Sequence, residues 1–142
     1  MAYAPAVSND DTKAELEIRN VLGRLAHLAD AGDLDEYMSL FTDDAVWDHP
    51  KLGRREGKDD IHTGAKERRA AGQTSTFRSR HIITTQWVRV DDADHAVSQA
   101  YWILLDAADP PVVANTGRYD DTLRRTPDGW KLAERIIVLD VN

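Results

Sequence analysis

The chain has 142 residues, enough for one domain with a real core, and a single domain over residues 1–142 is expected. Its 25 acidic residues outweigh 18 basic ones for a formal net charge of −7, which opposes contact with nucleic acid or an anionic membrane surface. Cysteine is absent, which removes disulfides, thiolate metal sites and cysteine nucleophiles; with no export signal in the opening residues and no apolar run near the ~20 residues that span a bilayer, a cytoplasmic protein is expected.

In chain order, Asp10 or Asp11 can cap a first helix whose Ala14, Ile18, Val21, Leu22, Leu25, Leu28 and Ala29 share one face at the helical period, with Gly32 as its stop. Asp33 then caps a second helix carrying Leu34, Tyr37, Met38, Leu40 and Phe41. Residues 45–48 read as a short strand, residues 49–57 as a loop, and residues 58–71 as a third helix. From Phe77 the texture turns β-branched and aromatic, predicting long strands near 77–90, 95–106, 112–125 and 130–141. The short, turn-like links between them imply antiparallel neighbours. Helices first and a strand meander afterwards is an α+β order, in which a twisted, curved antiparallel sheet with helices over its mouth leaves a cavity.

Two residues could carry chemistry in such a cavity. Asp30 falls in the last turn of the first helix, where a carboxylate faces the negative end of the helix dipole at about 0.3–1 kcal/mol, so something must compensate for it. It sits at the edge of the apolar stripe, whereas His27 points to the solvent side. His81 opens the longest strand together with Ile83, Thr85 and Trp87 of the same parity. The opposite parity, Arg80, Ile82, Thr84, Gln86 and Val88, is no more polar, and alternation does not decide which set faces inward. Composition alone also allows Asp30 as a solvated residue before a glycine stop and His81 as a surface histidine. A carboxylate beside an imidazole would orient it and raise its basicity, so an Asp–His dyad is the constellation to seek.

Trp47, His49, Tyr101, Asp106 and Tyr119 are the remaining polar or aromatic groups on elements that could reach the same cavity. The five histidines show no zinc-type spacing, and the chain has no G-x-G-x-x-G, G-K-[ST] or G-x-S-x-G motif; no metal and no cofactor are expected.

The stretch from Leu25 through Asp30, Asp33 and Phe41 to Trp47, and the ending from Gly117 through Tyr119 to Asp128-Gly129-Trp130-Lys131, resemble SnoaL-like proteins of the NTF2-like superfamily. The resemblance runs nearly the whole chain. It implies a cone-shaped α+β fold with three N-terminal helices enclosing a pocket, and a homodimer formed through the outer face of the sheet. Within the superfamily the pattern is similar to scytalone dehydratase and bile acid dehydratases, which pair a helix-borne Asp with a strand His, here Asp30 and His81. The same comparison gives His49, Asp106 and Tyr119 pocket positions. Ala29 stands where scytalone dehydratase has a Tyr, so the pattern names no proton donor.

The expectation is a lyase or isomerase without a cofactor, acting through Asp30 and His81 on a small apolar alicyclic or polycyclic molecule. A steroid, terpenoid or polyketide intermediate would fit. Alternatives are a non-catalytic small-molecule binding domain and a small structural subunit of a ring-hydroxylating oxygenase.

Overall fold

The computed structural model describes residues 9–72 and 79–141. Helix α1 spans Asn9–Asp30, and its stripe of Ile18, Leu22, Leu25 and Leu28 is fully buried. Each such side chain contributes on the order of 1.5–3 kcal/mol by leaving water. Asp10 and Asp11 lie inside its first turn rather than at the cap, where their charge favours the positive end of the dipole. Helix α2, Leu34–Ser39, is capped as expected by Asp33, whose carboxylate accepts hydrogen bonds from the backbone N–H of Asp35 at 2.6 Å and Glu36 at 3.3 Å.

Two further local expectations fail. Leu40 and Phe41 do not extend α2: Leu40 is its C-cap, and strand β1 runs Phe41–His49. Tertiary pairing overrides the helical pattern here, because the Leu40 carbonyl accepts from the Leu132 N–H at 2.8 Å and Phe41 pairs in parallel with Leu132. The expected loop at 49–57 contains strand β2, Gly53–Glu56, antiparallel to β1. Its Gly-Arg-Arg-Glu sequence shows no apolar alternation because it is an edge strand with largely exposed side chains. Helix α3 follows at Lys58–Ala70, burying Ile61 and Ala65.

The remaining strands are β3 (Ser79–Val90), β4 (His95–Asp106), β5 (Val112–Thr126) and β6 (Gly129–Leu139). Phe77 and Arg78, expected to begin the first of them, lie outside the described residues. All six strands share one sheet in the order β2-β1-β6-β5-β4-β3, with β3 to β6 antiparallel neighbours and β1 parallel to β6. Helix α1 packs on β3 and β6, and α3 packs on β1. Among the described residues no helix is long and apolar enough to cross a membrane.

Two bulges decide which side chains face the helices. In β3, Thr84 pairs with Tyr101 but Trp87 pairs with Gln99, so Thr85 and Gln86 together oppose Ala100, and Thr85 takes φ 52°. His81 and Ile83 therefore share the inner face with Val88 and Val90, while Trp87 turns outward, against the uniform parity read from the sequence. The Arg19 guanidinium of α1 donates to the Gln86 carbonyl at 3.3 Å and pins the bulge. In β6, Thr122 faces Glu134 but Leu123 faces Leu132, so Ala133 is the extra residue, and Arg135 shares the inner side with Trp130, Leu132 and Ile137.

Gly117 lets an aromatic residue lie flat on the sheet: a Cβ there would stand 2.0 Å from the Val138 carbonyl oxygen and 2.5 Å from the Trp102 ring. Gly117→Ala should therefore lower stability by about 1–3 kcal/mol in urea unfolding, the usual cost of overpacking. An unchanged midpoint would show that the strand can shift to admit the methyl group.

Candidate active site

Among the described residues strand β3 is an edge of the sheet, so its outward N–H groups have no strand to bond. At His81 the carboxylate of Asp30 takes that role. Its Oδ1 and Oδ2 accept the His81 backbone N–H at 3.1 and 3.0 Å, and Oδ1 lies 2.6 Å from Nδ1 of the ring. A carboxylate only accepts, so Nδ1 carries the ring proton and Nε2 holds the free lone pair. Asp30 is 6% exposed, which makes these donors necessary to its burial. The expected compensation at the end of α1 is also present: Arg69 of α3 donates to the carbonyl of Leu28 at 2.6 Å and to that of Gly32. A cation thus caps the negative end of the helix that carries Asp30.

His81 lines a cavity of about 190 Å³ between the helices and the inner face of the sheet. Cavities of about 150 Å³ with apolar walls take up benzene, so this one suits a ring-sized apolar body. Of the residues anticipated from sequence, Trp47, His49 and Tyr119 also line it. Tyr101 does not. Alternation along β4 turns Trp102 and Leu104 inward and leaves Tyr101 on the outer face, 54% exposed. Asp106, beyond Leu104 at the end of β4, lies outside the lining as well.

Each aromatic wall residue is held by its neighbours. Trp47 and His49, two apart on β1, stack with ring centroids 5.6 Å apart. The His49 Nδ1 accepts the backbone N–H groups of Lys51 at 3.1 Å and Leu52 at 3.0 Å, which places the neutral ring's proton on Nε2. Burial, with the nearby charges of Arg68 and Lys51, holds His49 below the ordinary imidazole range and so neutral. Trp102 and Tyr119 stack at 5.7 Å. Burial pushes the phenols of Tyr119 and Tyr37 above their usual range, so both stay protonated donors.

The sequence reading missed three arginines. Arg135 lies with its guanidinium 3.8 Å from the centre of the Tyr119 ring and forms a buried bidentate pair with Asp121, both bonds 2.8 Å. Burial works to discharge Arg135, and the Asp121 carboxylate more than reverses this. Arg69 caps α1 as described, and Arg68 lies 4.2 Å over the Trp47 ring. Nothing in the helical pattern of α3 marked residues 68 and 69 as cavity-facing, and the Ala133 bulge hid Arg135. Among the described residues, no three His, Cys, Asp or Glu side chains are grouped to hold a metal ion.

The sequence model of the SnoaL-like domain matches residues 10–136. None of the curated proteins matches the chain. Three solved structures from Novosphingobium aromaticivorans share its fold. An NTF2-like protein with a cystatin-like fold is 22% identical, with TM-score 0.79 over 92% of this chain and 85% of that one. A candidate aromatic ring hydroxylase is 25% identical, with TM-score 0.75 over 92% of each chain. A candidate scytalone dehydratase is 14% identical, with TM-score 0.78 over 95% of this chain and 89% of the other. The six-stranded curved sheet with its helices is thus the NTF2-like, cystatin-like fold.

Two outcomes test the energetics of the wall. Arg135→Met leaves Asp121 as an unpaired buried charge and should cost about 3–5 kcal/mol in chemical unfolding, whereas the double change with Asp121→Leu should regain most of it. An Arg135→Met protein as stable as the parent would mean that the pair is not buried in solution. His49 titrates near 6.5 when unfolded but lower when folded, so the unfolded chain binds more protons and stability falls as pH drops below about 6.5. His49→Gln should flatten that decline in unfolding curves recorded against pH. Identical slopes for the two proteins would show that His49 is not held neutral.

Proposed function

The chain belongs to the SnoaL-like domain family, and on that premise we propose that it is a lyase or isomerase of the dehydratase or cyclase type, with Asp30 and His81 as its acid–base pair. The observation that carries this reading is the 2.6 Å contact between Asp30 Oδ1 and His81 Nδ1 at the wall of a ring-sized cavity. The helix supplies the orienting group and the strand supplies the base. Neutral imidazole is the side chain best suited to exchange protons near pH 7.

In the proposed reaction, the lone pair on Nε2 of His81 takes a proton from a carbon α to a carbonyl in an alicyclic or polycyclic substrate. The electrons of the C–H bond become the enolate, and Asp30 stabilises the imidazolium that forms. A hydrogen bond from the Tyr119 hydroxyl or from His49 Nε2–H meets the developing oxyanion. Both are protonated donors held by packing, which is where such stabilisation is strongest. Collapse of the enolate expels a β-hydroxyl, which takes the proton back from the imidazolium and leaves as water. Return of that proton to a different carbon would instead give an isomer. The cavity of about 190 Å³ favours a substrate that places one or two rings inside over one that must bury a whole steroid.

Proton abstraction can be read without knowing the complete reaction. In D2O, the protein should exchange the α-hydrogen of small cyclic ketones, followed by mass spectrometry, and eliminate water from their β-hydroxy derivatives. His81→Ala should slow both by roughly 10²- to 10⁴-fold, the usual worth of general acid–base catalysis. Asp30→Asn should slow them by less. Full exchange in a folded His81→Ala protein would remove the dyad mechanism, and binding of these ketones without exchange in the parent would make the pocket a binding site only.

A further inference from the structure

The charges around the cavity are lopsided for a chain of net charge −7. Among the described residues its lining includes Arg68, Arg69 and Arg135 but no Asp or Glu side chain. Two of the three cations are committed: Arg135 to the carboxylate of Asp121, and Arg69 to the carbonyls of Leu28 and Gly32. Arg68 is not. Among the described residues its guanidinium has neither a hydrogen bond nor an ion pair, and it rests on the face of Trp47. The adjacent Glu67 is engaged elsewhere, with Oε2 2.7 Å from Arg55. The remaining charged or polar groups close to Arg68 are the Arg55 guanidinium, the phenols of Tyr37 and Tyr119, both protonated, and the neutral His49.

A guanidinium turned into a partly buried wall has given up water without receiving an anion. That burial works to discharge Arg68, and nearby Arg55 adds to the effect. Aromatic stacking at 4.2 Å recovers part of the loss and fixes the planar fork in place, leaving its N–H donors for a planar acceptor. From this geometry we infer that Arg68 is the anion-recognition group of the cavity, so that its ligand combines an apolar ring body with one carboxylate. This departs from a wholly apolar ligand and rests on the reading above only in taking the cavity as the ligand site.

The subsite requires that charge, and not shape alone, govern binding. A matched pair of probes tests this: 1-naphthoate and its neutral near-isostere 1-naphthamide, with binding to the intact protein followed by calorimetry. The parent should hold 1-naphthoate roughly tenfold to a hundredfold more tightly than the amide, the usual value of a charge-assisted hydrogen bond. Arg68→Met should abolish that preference while leaving amide affinity within about threefold, and Arg68→Lys should restore part of it. Should Arg68→Met fail to fold, the parent's preference and its partial retention in Arg68→Lys still decide the matter. Equal affinity for the two probes, no detectable binding of 1-naphthoate, or a preference that survives Arg68→Met would each overturn the assignment. His81→Ala should keep the preference, so loss of proton exchange with the preference intact counts against the catalytic reading alone.

Discussion

One carboxylate ties the helical layer to the edge of the sheet. Asp30 stands at the end of α1 that repels negative charge, is almost wholly buried, and would be a liability without donors around it. The main chain and ring of His81 supply them from β3, and Arg69 of α3 donates to the Leu28 carbonyl in the last turn of α1. The same contacts satisfy an edge N–H group that has no strand partner and select the tautomer of the imidazole. Position, charge and protonation at the mouth of the cavity therefore depend on a single side chain. This explains why a residue with an unfavourable local energy can occupy that helix position, since the neighbouring elements supply what the helix lacks.

The elements that local pattern controls were legible in the sequence. The buried stripe of α1, the Asp33 cap and the four long antiparallel strands follow from periodicity, capping chemistry and turn residues. The elements set by non-local pairing were not. Phe41 reads as the end of a helix until β6 pairs with it, and β2 has no apolar alternation because neither its face nor its edge is buried in a core. Asp30, His81, Trp47, His49 and Tyr119 could be singled out because their residue types, placement on elements and family resemblance agreed. Tyr101 was misplaced for want of the strand's phase, which Trp102 and Leu104 fix only once the sheet is formed. Arg135 was hidden for a different reason. Strict alternation from Trp130 and Leu132 would put Glu134 inside, and the extra residue at Ala133 exchanges an acid for a base at the cavity wall. Bulges are thus where the polarity of this site is decided.

That exchange matters for how the cavity treats a ligand. With Glu134 inside, the wall would add a carboxylate near Asp30 and Asp121, and an anionic ligand or intermediate would be repelled. With Arg135 inside, Asp121 is neutralised within the wall, and its guanidinium lies against the face of Tyr119, a donor that can meet a growing negative charge. In the proposed reaction His81 is the group that accepts a proton from carbon, while the donors at the same wall include the phenols of Tyr37 and Tyr119, the Nε2–H of His49, and Arg68. Such an arrangement favours an electron distribution that moves away from His81 as the proton moves onto it. A ligand anchored by its anionic group at Arg68 would enter in one orientation, so that binding energy from a part of the molecule that does not react helps to fix the reacting carbon against Nε2. The pocket is thereby polar in a directional sense although most of its surface is apolar, and that direction is what the proposed proton transfer requires.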